Sequence, residues 1–188
     1  MNTFERFLEK NKKTYLIFDF DATLVTLYID WSDFRKGLME IALTHGINLP
    51  LGPNYYNQAV KQGGIKLRNE FTIFSAQYEA DHLKKLIPNE ILLEFVRRNK
   101  EYKLFIFSSN TKKTIYPILE ELEIKDCFES IIASDDVMFR KPNPEGFSLI
   151  LDSRISKKEY LMIGDSKADR LAAEAAGIDF FDVADLKE

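Results

Sequence analysis

The residues Tyr15-Leu16-Ile17-Phe18-Asp19-Phe20-Asp21-Ala22-Thr23-Leu24 form an apolar run that ends in two carboxylates, two positions apart. The first four of them predict a buried β-strand. Because residues i and i+2 of a strand point to the same face, we expect Asp19 and Asp21 to lie side by side at its carboxyl end. Two like charges so close together need a cation or a shared proton, so the pattern indicates a functional site.

Composition excludes several classes of protein. The 188 residues fit one domain, or one domain with a small insert. The net charge of −4 and the lack of a basic stripe argue against a nucleic-acid partner. A single cysteine excludes a disulfide framework. No apolar stretch approaches the roughly 20 residues of a membrane span, and the first 13 residues do not read as a signal peptide. We therefore expect a cytoplasmic protein with no membrane partner; the oligomeric state is open, with a monomer favoured.

The second half of the chain alternates short apolar runs with amphipathic stretches. We predict strands at 102–107, 130–134, 160–163 and 179–183, with helices between them. One helix is expected to begin at Thr114, with Pro117 in its first turn, and another at Asn143, followed by Pro144. This alternation predicts an α/β fold: a doubly wound, Rossmann-like parallel sheet covered by helices on both faces.

Between the first strand and residue 88 the pattern changes. Asp30 predicts the start of a helix that ends at His45-Gly46, and Gly63-Gly64 predicts a break in later helical sequence. We find no strand pattern here. The chain is therefore expected to divide into an α/β core of residues 1–29 and 88–188 and an all-helical cap of residues 30–87.

Polar side chains follow the predicted strands at their carboxyl ends, where ligands bind in open α/β sheets. They are Asp19, Asp21, Ser109, Asn110, Lys141, Asp165 and Asp169. One carboxylate can attack phosphorus, and a second can transfer the proton. A lysine and a hydroxyl can hold phosphate oxygens, and carboxylates suit a hard divalent cation, for which Mg²⁺ is our first candidate. The set therefore indicates phosphoryl transfer.

Four segments resemble, in order, the four motifs of the haloacid dehalogenase superfamily. They are Asp19-Phe-Asp-Ala-Thr23, Ser109-Asn110, Lys141-Pro-Asn-Pro-Glu145 and Gly164-Asp-Ser-Lys-Ala-Asp169. The predicted helical insert, placed between the first and second motifs, is similar to the cap of that superfamily's first structural subclass. The resemblance covers the core on both sides of the insert.

The resemblance implies a role for each matching residue. Asp19 would be the nucleophile and a magnesium ligand. Asp21 would be the general acid and base, with its backbone carbonyl on the metal, and Asp165 would ligate magnesium directly. Ser109 would bind the transferring phosphoryl group, and Lys141 would bridge that group and Asp19. Supporting positions would be held by Thr23, Asn110 and Asp169.

Two features of the first motif bear on the chemistry. Ala22 stands where the family usually has glycine, so the loop that follows Asp21 must tolerate a Cβ. The family's metal-independent dehalogenases lack an aspartate at the position of Asp21, so its presence favours phosphate over halide chemistry.

We therefore predict a Mg²⁺-dependent phosphomonoester hydrolase, a phosphatase that acts through an aspartyl-phosphate on a small phosphorylated metabolite. Two alternatives stay open: a sugar phosphomutase on the same site, and a non-catalytic protein that binds a phosphorylated ligand. Candidate substrate contacts near or within the cap are Tyr28, Lys61, Lys66 and Arg68.

Overall fold

A five-stranded parallel sheet forms the centre of the computed structural model, which describes residues 2–187. The strands are β1 Tyr15–Phe18, β2 Val25–Leu27, β3 Leu86–Pro88, β4 Lys103–Phe107, β5 Ser130–Ile132, β6 Tyr160–Gly164 and β7 Asp179–Asp182. Five of them form the parallel sheet, in the order β5-β4-β1-β6-β7. The first strand of the chain therefore lies at the middle of the sheet, with β4 and β6 as its neighbours.

Six α-helices surround or extend this sheet in the described part of the chain. They are α1 Thr3–Asn11, α2 Trp31–Thr44, α3 Tyr55–His82, α4 Glu90–Arg98, α5 Lys112–Glu121 and α6 Lys167–Ala176. Within the same residues, no helix combines the length and the apolar character that a membrane crossing requires.

The alternation of β1 shows why helices are needed on both faces of the sheet. Leu16 and Phe18 pack into a core with residues of α1, α4 and α5. Ile17, between them, packs into a second core with three alanines of α6. Each face of the strand thus buries apolar side chains under its own layer of helices. This arrangement confirms the predicted doubly wound α/β fold.

The helical insert consists of α2 and α3, which pack against each other through a third apolar cluster. Phe34 and Leu38 of α2 meet Val60 and Phe71 of α3 in that cluster. The side chain of Asp30 accepts hydrogen bonds from the first turn of α2, as predicted. Gly64 has non-helical backbone angles (φ 66°, ψ −158°), so α3 kinks at the predicted break.

A short ribbon at the base of the insert corrects one prediction. β2 and β3 pair in an antiparallel sense, with Thr26 opposite Ile87, in a region where the sequence pattern indicated no strand. Each strand has three residues, so its local pattern is too short to identify it. The helical sequence accordingly ends at His82 rather than near residue 87. The cap limits at residues 30 and 87 stay a prediction.

Two helix starts also differ from the prediction. The helix α5 begins after Thr111 rather than at Thr114, so Pro117 lies in its interior. The Thr111 hydroxyl is bonded to Glu79 instead of capping the helix. The expected helix after Asn143 is a 3₁₀ helix, Glu145–Leu149, preceded by Pro144. At five residues, this segment is slightly longer than the three or four that 3₁₀ helices usually reach.

The N-terminal helix α1 packs onto the protein's own core. Phe4 is fully buried, and its ring lies 6.4 Å from that of Phe18, 5.0 Å from that of Phe95 and 5.2 Å from that of Phe181. This aromatic cluster joins the first helix to β1, α4 and β7.

We expect Phe4→Ala to lower the free energy of unfolding by about 3–5 kcal/mol, because it removes a buried ring and leaves a cavity. Urea unfolding measures the change. Leu43→Ala is the control, since Leu43 is 46 % exposed on α2 and its truncation should cost no more than about 0.5 kcal/mol. Equal losses in the two variants would show that α1 is not docked on the core.

Candidate active site

Asp19 directly extends the central strand. Its backbone N–H donates to the carbonyl of Ile163 at 2.8 Å, so the residue continues the β1–β6 ladder. Its side chain is buried, and Oδ1 accepts from the N–H of Phe20 at 2.7 Å. The same oxygen lies 2.8 Å from Nζ of Lys141. The other carboxylate oxygen, Oδ2, has no hydrogen-bond donor among residues 2–187, so it is free to react.

Lys141 is buried at the centre of the site, with three oxygen neighbours. Its ammonium donates to the carbonyl of Phe107 at 2.9 Å, lies 2.8 Å from Asp19 Oδ1 and forms an ion pair with Asp169. These three residues belong to the ends of β4 and β1 and to the first turn of α6. One ammonium thus joins three separate parts of the chain.

Asp169 is fully buried in the first turn of α6. Its Oδ2 accepts from the N–H of Ser166 at 3.1 Å and from the Ser166 hydroxyl at 2.6 Å, and the Ser166 hydroxyl in turn caps the helix. Gly164 permits this close approach, because a Cβ at that position would lie 2.7 Å from the Asp169 carboxyl carbon. Both oxygens of Asp169 are therefore engaged by protein groups.

Three carboxylates converge where the motifs meet. Asp19, Asp165 and Asp169 each offer an oxygen, and these atoms lie within 4.8 Å of one another. Asp165 is exposed, and in the described structure no side chain bonds to it. The donor set is entirely oxygen, which suits a hard divalent cation such as Mg²⁺. Since Asp169 is already bonded to Lys141 and Ser166, Asp19 and Asp165 are the side chains that fit a metal.

The pKa values reflect this excess of negative charge. Burial and the neighbouring charge of Asp169 raise the pKa of Asp19 to about 7, although Lys141 opposes the shift. Burial and Asp169 also raise the pKa of Asp165. Burial disfavours the charged form of Lys141, but Asp169 and Asp19 outweigh it and raise the lysine's pKa. One ammonium cannot neutralise all these carboxylates, so the site has room for a further cation.

Asp21 lines the same crevice as Asp19 and is half-buried. Its Oδ1 accepts from the N–H of Leu27 at 2.8 Å, which ties the loop to β2. Burial raises the pKa of Asp21 to about 6. Ala22, between the aspartates and β2, has a φ of 58°, in the left-handed region that glycine adopts without penalty. The missing glycine of the first motif is therefore replaced by a strained alanine.

The remaining motif residues lie around the same point. Ser109 lines the crevice, and the backbone N–H of Asn110 donates to the Ser108 hydroxyl at 3.1 Å. Thr23 is buried, and its hydroxyl has no hydrogen-bond partner in the part of the chain that the structure describes. Thr23 lies behind the crevice rather than on its wall.

A crevice of about 410 Å³ opens between the sheet and the insert. The core contributes all the predicted catalytic residues and metal ligands: Asp19, Asp21, Ser109, Lys141 and Asp165. The insert contributes side chains that the sequence did not single out for this purpose: Trp31, Phe34, Arg35, Pro53, Asn54, Tyr56, Asn57 and Glu79. The volume is in the range of small-molecule sites.

Three charged residues on the crevice wall were missed by sequence reasoning: Arg35, Glu79 and Arg140. Glu79 is buried on α3, and its carboxylate accepts from the N–H and the hydroxyl of Thr111 at 3.1 and 3.0 Å. Arg140, which precedes Lys141 in the sequence, is also buried. The only available signal for Arg140 was its position next to a motif lysine.

The four substrate contacts predicted near or within the cap have other surroundings in the structure. Arg68 donates to the backbone carbonyls of Asp135 and Val137, so it fastens α3 to the core. Lys61 lines a neighbouring pocket, and Lys66 and Tyr28 are exposed. These four residues do not line the crevice, because charge and sequence proximity alone do not show which way a side chain points.

Residues 16–183 match the family of haloacid dehalogenase-like hydrolases. The match covers most of the chain, so the protein belongs to this family. The resemblance drawn from the four motifs is therefore confirmed.

Two relatives and one solved structure show how similar the chain is to known proteins. Pyrophosphatase PpaX of Listeria welshimeri is 30% identical over 175 residues, which are 88% of this chain and 80% of that protein. Phosphoglycolate phosphatase of Yersinia pestis is 42% identical over 64 residues, which are 34% of this chain but only 28% of the relative. The solved structure of a HAD-superfamily hydrolase of subfamily IA, variant 1, from Geobacter sulfurreducens is similar with a TM-score of 0.54 at 22% identity, over 89% of this chain and 88% of that one. This last likeness shows the fold alone.

We expect Lys141→Met to lower the free energy of unfolding by about 3 kcal/mol at pH 8 in metal-free buffer, because two carboxylates lose their buried counter-ion. The loss should be smaller at pH 5.5, since protonation of those carboxylates removes the buried charge. Urea unfolding at both pH values measures it.

Lys112→Met is the matched control for this substitution. Lys112 pairs with Asp136 at 2.5 Å, but both side chains are partly exposed, so its loss should cost at most about 1 kcal/mol. A cost for Lys141→Met no greater than that of the control would contradict the central role of the ammonium.

We expect Ala22→Gly to raise the free energy of unfolding by about 0.5–1 kcal/mol. The left-handed φ penalises alanine by about 1–2 kcal/mol, and the greater freedom of unfolded glycine returns part of that. Thermal unfolding should show a melting temperature higher by about 2–3 °C. Ala80→Gly, at an exposed position of α3, should have the opposite sign. A lower free energy of unfolding for Ala22→Gly would show that the backbone at Ala22 is not strained.

Proposed function

We propose that the protein is a Mg²⁺-dependent phosphatase that hydrolyses a small phosphorylated metabolite through a phospho-Asp19 intermediate. The observation that carries this proposal is the convergence of Asp19, Lys141, Asp165 and Asp169 on one crevice, with one oxygen of Asp19 left without a donor. The names of the relatives, a phosphoglycolate phosphatase and a pyrophosphatase, support phosphate chemistry.

In the first step, Asp19 Oδ2 would attack phosphorus and the bond from phosphorus to the ester oxygen would break. Lys141 holds the other oxygen of Asp19 and so orients the nucleophile. Asp21 would give its proton to the departing alkoxide, which leaves as an alcohol. A pKa raised to about 6 suits a group that must both give and accept a proton near neutral pH.

In the second step, Asp21 would take a proton from water, and the resulting hydroxide would attack the phosphorus of phospho-Asp19. Inorganic phosphate would leave and Asp19 would be restored. Ser109 would hold a phosphoryl oxygen through its hydroxyl during both steps.

Magnesium fits the carboxylates of Asp19 and Asp165, with Asp169 holding Lys141 in place beside them. When bound, the ion would supply the positive charge that lets a phosphate dianion approach these carboxylates. The raised pKa values of Asp19 and Asp165 support a requirement for added positive charge.

We expect Asp19→Asn to lower turnover of p-nitrophenyl phosphate by at least about a thousandfold, because the amide cannot form the covalent intermediate. Release of nitrophenol and of inorganic phosphate is measured together. Asp152→Asn, which changes a surface aspartate paired with Arg154, is the matched control and should keep full turnover. Turnover that survives Asp19→Asn would rule out this nucleophile.

The same assay tests the metal requirement and distinguishes a phosphatase from a phosphomutase. Chelation of divalent ions should stop wild-type turnover, and added Mg²⁺ should restore it; activity that persists in chelator would exclude the metal requirement. Release of nitrophenol with the phosphoryl group retained on the protein would favour the phosphomutase instead.

A further inference from the structure

The guanidinium of Arg140 is buried on the crevice wall without a matching carboxylate. The residue is 7 % exposed, one terminal nitrogen donates to the Ser75 hydroxyl at 2.8 Å, and the Nε has no hydrogen-bond partner in the described structure. Its carbon centre lies 4.0 Å from the centroid of the Tyr56 ring. In residues 2–187, no ion pair includes Arg140. A buried charge of this kind is costly unless something pairs with it.

The nearest acidic candidate does not complete that pairing. Glu79 lies on the same crevice wall, but its carboxylate is hydrogen-bonded to Thr111 and is not within ion-pair distance of Arg140. Burial raises the pKa of Glu79, and the charge of Arg140 opposes the shift only from a distance. The guanidinium therefore keeps hydrogen-bonding capacity that the protein does not use.

A second arginine faces the same space from the insert. Arg35 is exposed on α2 and lines the crevice, and within the described residues it has no ion-pair partner either. Its neighbour Lys36 points elsewhere and pairs with Asp33 at 2.7 Å. Lys141, the third cation of the crevice, is already engaged by Asp19 and Asp169. Two of the three crevice cations are thus left for a ligand.

We propose that Arg35 and Arg140 form a subsite for a second anionic group of the substrate, a carboxylate or a further phosphate, while the scissile phosphoryl group meets Asp19. The inference rests on the proposed function and names its substrate class. Guanidinium groups suit this role, because their planar arrays of N–H donors match the oxygens of a carboxylate or phosphate. The ring of Tyr56 would pack against the guanidinium of Arg140 and hold it in position.

The test compares phosphate monoesters of two to four carbons that end in a carboxylate, a phosphate or a neutral hydroxyl. We expect kcat/KM of the wild type to be about tenfold or more higher for the anionic than for the hydroxyl-terminated ester of the same length, at constant ionic strength. Whether the carboxylate or the phosphate gives the larger ratio identifies the group. Equal values for all three endings would overturn the subsite and leave the phosphatase proposal standing.

Arg35→Gln should bring the anionic-to-neutral ratio close to one. Lys36→Gln is the matched control, because it removes one positive charge from the adjacent residue of the same helix and should keep the ratio. Equal losses in the two variants would mean that only the long-range field of the insert acts, and would overturn the proposal. Arg140→Lys, which keeps the charge but not the planar fork, should give an intermediate ratio.

A binding measurement keeps the subsite testable if no ester is hydrolysed. Calorimetry with the Asp19→Asn protein and Mg²⁺ should show tighter binding of the anionic ester than of the neutral one, and Arg35→Gln in that background should remove the difference. If the wild type hydrolyses none of the esters but the Asp19→Asn protein binds the anionic ester more tightly, the subsite would be supported and the proposed function contradicted. Binding with no preference for the anionic ester, or no binding of any ester, would overturn the subsite.

Discussion

The ammonium of Lys141 is the interaction on which the site depends. It lies between Asp19 and Asp169 and also binds the carbonyl at the end of β4. Without this charge, the two buried carboxylates of Asp19 and Asp169 would repel each other. The lysine therefore fixes the distance between these elements as well as the charge of Asp19.

Hydrogen bonds from two other residues hold the loop that carries this lysine. The loop that carries it is fastened by Glu145, whose carboxylate accepts from the N–H groups of Met138 and Phe139 at 2.9 Å each. Asn57 of α3 exchanges two hydrogen bonds with the backbone of Arg140. The insert thus touches the residue that precedes the lysine. Its helices cannot shift as a unit without disturbing the loop that completes the active site.

Sequence patterns predicted the sheet because each core strand is a compact apolar run, and they predicted the motif residues because all of these follow strand ends. They did not predict β2 and β3, whose three-residue strands pair across about sixty residues of chain. They also did not indicate the hydrogen bonds of Arg68, since nothing local shows that the carbonyls of Asp135 and Val137 turn toward α3. Glu79 was missed for the same reason: its partner Thr111 belongs to the core, 32 residues further along the chain. The contacts between insert and core could not be predicted, because they join residues far apart in the sequence and leave no local pattern.

The two helices of the insert differ in how they are held, and this bears on the unpaired arginines. Helix α3 is bonded to the core through Asn57, Arg68 and Glu79. The side-chain hydrogen bonds of α2, within the described residues, stay inside the insert, as in the pairing of Lys36 with Asp33. An anion bound by both Arg35 of α2 and Arg140 of the core would link α2 to the core. The substrate itself would then complete the enclosure of the crevice, which links the choice of substrate to the exclusion of water from the reacting phosphate.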